Sequence, residues 1–213
     1  LALKFSNTKI GDYIQIKPVS TIFILSVILS FIGSMIIVSE VANLVYYMFP
    51  VPEEFIEMMD SVDSNVLGLL AAVIVAPLTE EFFFRGLILR GLINNYSIRY
   101  SIIISAFLFG AMHMNIWQMI PAILLGLYFG WVYLLSGNIW VVLILHAVQN
   151  ISSYLLEMKE VYIPGMIYPI ADGVQFQSIW LDLFGAALFI LGYLLLKNYE
   201  LANSPIQNIE IKK

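Results

Sequence analysis

VLGLLAAVIVAPLTEEFFFRGLIL, residues 66–89, sets two adjacent carboxylates (Glu80, Glu81) and an arginine (Arg85) inside an otherwise apolar run. Ionised side chains in such surroundings cost ~2.5–3.5 kcal/mol each on membrane-insertion scales, so they need partners or a wet cavity. Glu81 and Arg85 are four residues apart with the acid N-terminal to the base, which makes them a same-face pair on a helix. Glu80 points ~100° away from Glu81 on that helix, so one arginine does not serve both. Glu80 needs another reason to be there.

The rest of the chain extends this pattern. Of 213 residues, 61% are hydrophobic and 12% charged, where a soluble domain carries about 25% charged residues. The apolar residues fall in long blocks, the pattern of an all-α, polytopic transmembrane helical bundle. Cysteine is absent, which excludes disulfides, thiolate nucleophiles and cysteine metal ligands. The ten basic residues are too few and too dispersed for nucleic acid binding.

About six spans are expected: 20–49, 66–94, about 98–114, 117–135, 139–156 and 179–196, in a single integral-membrane domain, 1–213. Lys4 and Lys9 precede a first block too long for a signal-peptide core, so it is expected to remain as a span. Residues 1–18 are basic and expected at the membrane surface, and an acidic loop (Glu53, Glu54, Glu57, Asp60, Asp63) follows the first span. The second block would be ~43 Å long as a helix against ~30 Å of hydrocarbon, and Pro77 is the expected bend. Gly126 and Gly130 form a small-xxx-small pair suited to close packing of the fourth helix. Pro164-Gly165, Pro169 and Asp172-Gly173 mark turns in the 157–178 connection. With six crossings, Lys4, Lys9, Lys17, Arg90, Arg99, Lys197, Lys212 and Lys213 share one side and Lys159 lies opposite. That distribution predicts cytoplasmic termini.

The chain has two histidines, both in apolar segments. His113 follows Phe109-Gly110-Ala111-Met112, about 22 Å along the third span. His146 and Asn150 are four apart and share a face of the fifth helix. Three helices could thus converge Glu80, His113, His146 and Asn150 on one pocket. A carboxylate in a poorly solvated site is an effective general base toward water. Histidine can hold that water or pass a proton to a leaving amine, and an imidazole with an asparagine amide offers donors to a developing oxyanion. These residue types suit peptide-bond hydrolysis, whereas HExxH, GxSxG and GxGD-like motifs are absent. Lipid contact or packing accounts for Phe82–Phe84, and interhelical polar contact for Glu40 and Gln149.

Glu80-Glu81-x-x-x-Arg85, Phe109-x-x-x-His113 and His146-x-x-x-Asn150 together resemble the three signatures of the CPBP intramembrane proteases, the Abi or CAAX-protease-like family. The resemblance covers about residues 66–156. Eukaryotic and archaeal members remove the terminal tripeptide of prenylated CAAX proteins, and bacterial members include bacteriocin-processing and self-immunity enzymes. The resemblance implies an intramembrane endopeptidase with Glu80 as base, His113 as its water-binding partner, and His146 with Asn150 as the oxyanion site. Glu81 and Arg85 would support that site. Family members often carry two more N-terminal spans, while this chain has one before the motif helix.

A metal-free mechanism is expected, so no cofactor is assigned. Zinc held by Glu80, His113 and His146 is the alternative. The expected partners are the lipid bilayer and a peptide or membrane-protein substrate, with the bacterial plasma membrane as the location. Two rivals are a non-proteolytic immunity protein that sequesters a peptide and a small transporter using Glu80 for protons.

Overall fold

In the computed structural model, residues 18–55, 66–158, 163–166 and 173–203 are described. They form six principal helices: α1 (Thr21–Met48), α2 (Val66–Ile93), α3 (Ile98–Ala111), α4 (Ile116–Ser136), α5 (Ile139–Met158) and α6 (Ile179–Asn203). Capping side chains set several of the boundaries. Ser20, Ser97 and Asn115 each accept from a backbone N–H three residues on, at the starts of α1, α3 and α4. Gly137, at φ 59°, ends α4 in the left-handed conformation.

The core joins Phe23, Val27 and Phe31 of α1 to Phe129, Val132 and Tyr133 of α4, with Leu89, Val142 and Leu196 closing it from α2, α5 and α6. α1 runs along α6 so closely that a Cβ at Gly33 would lie 2.4 Å from the Phe189 nitrogen. Gly126 gives α3 the same access to α4, since a Cβ there would stand 3.0 Å from the Ala106 Cα. The small-xxx-small reading holds, because Gly130 also faces α3 at Ile102.

Large apolar side chains cover the outside. Trp180, Leu183 and Phe184 of α6 and Ile22, Leu25 and Ile28 of α1 are exposed, as lipid-facing positions are. Among the described residues, four helices are long and apolar enough to cross a membrane by length and composition: α1, α2, α4 and Ile179–Tyr199 of α6. The molecule is an all-helical polytopic membrane bundle.

The third apolar segment departs from expectation. It stops at Ala111 after 14 residues, ~21 Å of helix against ~30 Å of hydrocarbon. A tight turn then starts α4, so His113 lies just beyond α3 rather than within a full span. α2 runs through Pro77, with π turns at Ala71–Val75 and Phe82–Leu89 on either side of the two glutamates. Lys4, Lys9, Lys17, Glu57, Asp60, Asp63, Lys159, Pro169, Asp172, Lys212 and Lys213 lie outside the described residues.

Candidate active site

The buried ion pair comes first. Glu81 is fully buried, and its Oε1 accepts from Arg85 Nη1 at 2.9 Å. Arg85 also donates to the Gly126 carbonyl of α4 at 3.3 Å. Its guanidinium lies 4.5 Å from the Phe109 ring centroid and 5.5 Å from that of Phe129. Opposite charge, a backbone acceptor and two aromatic faces together compensate a charge removed from water. The expected same-face pair is present, and it locks α2 against α4.

Glu81 has a second partner that spacing could not reveal. His146 Nδ1 lies 2.8 Å from the same Oε1, across 65 residues of sequence. With its Nδ1 proton given to Glu81, the imidazole presents Nε2 on its other edge. That nitrogen is 3.8 Å from Glu80 Oε2, beyond a direct hydrogen bond and within reach through one water. Adjacent glutamates pointing ~100° apart therefore meet the two nitrogens of one ring. The Glu80 side chain keeps 19% of its surface accessible, while Glu81 keeps none.

His113 stands on the turn after α3. Its Nδ1 is 3.1 Å from the Phe109 carbonyl, and donation there leaves Nε2 as an acceptor. Met114, at φ 55°, carries the turn in a conformation that costs a non-glycine residue of order 1–3 kcal/mol. Asn115 stabilises it, donating to the His113 carbonyl at 2.8 Å and accepting from the Gln118 N–H at 2.8 Å. The sequence reading missed Asn115. An asparagine just before an apolar helix was the available signal. The Phe109 ring meets both histidines edge-on, at 5.4 Å from His113 and 5.8 Å from His146.

A cavity of about 250 Å³ lies among α1, α4 and α5, lined in part by His113, His146, Asn150, Gln149, Ser39 and Phe129. Glu80 approaches His146 from α2, and its electrostatic neighbours are His146, His113, Glu81 and Arg85. The expected residues are thus brought together on and behind this cavity, with Asn150 in an unexpected role. Its Nδ2 donates to the Ala72 carbonyl of α2 at 2.8 Å, and the amide has a second N–H beyond that bond.

The Phe82–Phe84 run divides. Phe82 packs edge-on against Trp140, Phe83 is exposed and Phe84 is buried against Phe109. A zinc site would need Glu80, His113 and His146 around one point. Among the described residues no group of three His, Cys, Asp or Glu side chains is arranged to hold a metal ion. Both Nδ1 atoms are engaged by oxygen atoms, the arrangement in which a histidine would offer its Nε2 to a metal.

Residues 62–152 match the family described as Type II CAAX prenyl endopeptidase Rce1-like. The chain is also similar to the Bacillus subtilis (strain 168) protein named "Putative membrane peptidase YdiL", at 23% identity over 148 residues. That alignment covers 68% of this chain and 57% of the relative, so the chain spans little more than half of the curated protein it matches. No solved structure matches.

Proposed function

We propose that this chain, whose residues 62–152 match the Rce1-like CAAX endopeptidase family, is an intramembrane endopeptidase driven by a glutamate-activated water. The observation that carries this reading is the 3.8 Å gap between Glu80 Oε2 and His146 Nε2, beside a cavity and backed by the buried Glu81–Arg85 pair. A water to one side of that pair, about 2.8 Å from each atom, would hydrogen-bond to both.

Glu80 takes a proton from that water as its oxygen bonds to the scissile carbonyl carbon. Charge then develops on the carbonyl oxygen. His146 in its imidazolium form donates from Nε2, and Asn150 offers its second N–H, each such donor being worth ~2.7–4 kcal/mol in well-studied hydrolases. As the C–N bond breaks, the proton held by Glu80 passes to the leaving amine, giving a carboxylic acid and an amine. His113 Nε2 accepts a hydrogen bond from the attacking water and orients it. Glu81 keeps its negative charge and fixes the ring of His146.

The substrate class is a peptide or the membrane-proximal part of a protein, such as a leader peptide or bacteriocin-like peptide. Cytoplasmic termini, by the distribution of basic residues, and a bacterial plasma membrane complete the proposal. The test is to incubate the purified protein with a library of membrane peptides and map new termini by mass spectrometry. Reproducible internal cuts are expected; a digest no different from that of heat-inactivated protein would remove the peptidase reading.

A further inference from the structure

We propose that Pro77 is a positioning residue: the N–H it lacks leaves the Ala72 carbonyl open to Asn150, and that tie sets how α2 presents Glu80. The hydrogen bonds of the turn lead to this. Across the π turn Ala71–Val75, the Ala76 N–H goes to the Ala71 carbonyl, the i→i+5 pattern. In that register the next carbonyl, Ala72, would take its donor from residue 77, which is proline and has none. The Asn150 amide of α5 occupies that place at 2.8 Å. The Thr79 hydroxyl back-bonds within α2, 2.8 Å from the Val75 carbonyl and 3.0 Å from that of Ala76. A proline in a membrane helix is tolerated where a neighbouring helix or a Ser/Thr side chain supplies the missing partner. The first kind of replacement is present here, through Asn150 of α5.

Position as well as stability depends on the tie. A π turn holds one residue more than the α turn it replaces, so it rotates everything beyond it by ~100° relative to a regular helix. Asn150 and His146 are one helical turn apart on α5. The same helix therefore fixes α2 before Glu80 through Ala72 and meets Glu80 and Glu81 through His146. Pro77 makes this register the favoured one by denying Ala72 an internal donor.

A double-mutant cycle in detergent, reading thermal unfolding, tests the tie without reference to activity. Asn150→Ala in the Pro77 background is expected to lower the unfolding temperature by about 2–4 °C. In the Pro77→Ala background residue 77 regains an N–H, and the same substitution is expected to cost less than half of that. Equal losses in the two backgrounds overturn the proposal. Asn150→Asp, of nearly the same shape but without the amide donor, is expected to behave as Asn150→Ala does; full retention of stability would contradict the tie.

The activity arm rests on the reading of Glu80 as base. For Pro77→Ala, kcat is expected to fall at least tenfold with KM little changed and no loss of thermal stability. A Pro77→Ala enzyme with wild-type kcat overturns the positioning role. A wild-type protein that cleaves nothing removes the peptidase reading and leaves the unfolding cycle to decide the tie.

Discussion

Two buried polar clusters share this bundle and are built differently. At the far half of α1, Glu40 Oε2 accepts from the Asn43 amide at 2.8 Å and from the Gln177 backbone N–H at 3.0 Å. Asn43 donates further to the Gly165 carbonyl at 2.7 Å, and Gln177 reaches the Ile36 carbonyl at 3.2 Å. Neutral donors there hold the α5–α6 connection onto α1. At the other cluster a fully buried carboxylate faces an arginine and an imidazole, and a second, part-exposed carboxylate sits next to it. The first cluster joins backbone segments. The second leaves a carboxylate and a ring nitrogen 3.8 Å apart beside a cavity, beyond a direct hydrogen bond, which structural fastening does not require.

Substitutions can break or sharpen that contrast. The largest stability effect is expected for Glu81→Ala, which strands Arg85 as an unpaired buried charge at a cost of about 3–5 kcal/mol. Loss of cooperative unfolding, or a large drop in its midpoint, is the readout. Glu40→Ala is expected to cost less, about 1–3 kcal/mol, because it leaves neutral donors unsatisfied. Turnover per folded molecule should be retained, and a Glu40→Ala protein that folds normally but is inactive would erase the distinction between the clusters. Gly130→Ala should change stability least, within about 1 kcal/mol, because the helix-propensity gain offsets a 3.3 Å approach to the Ile102 side chain. A loss well beyond that would show that α3 cannot yield at Ile102.

Much of the fold was legible because apolar blocks are long and their ends are marked. The first block, expected at 20–49, is helical at Thr21–Met48, and the second, expected at 66–94, is helical at Val66–Ile93. The end of α3 was not, because Met112-His113-Met114 continues the apolar run and only Asn115 signals a stop. At the site, helical spacing identified the Glu81–Arg85 pair and the shared face of His146 and Asn150. It could not find the Glu81–His146 contact, which depends on how two distant helices pack. Nor could it foresee Asn150 bonding to Ala72, because arithmetic at 3.6 residues per turn assumes a regular helix and α2 carries two π turns.

The account depends most on the different tasks of two neighbouring glutamates, and Glu80→Gln tests that directly. Cleavage rate and unfolding temperature should be measured on one preparation beside the wild-type protein. The account predicts a rate lower by about 10²–10⁴-fold with an unfolding temperature within about 2–4 °C of wild type. A Glu80→Gln enzyme that cleaves at the wild-type rate would contradict it.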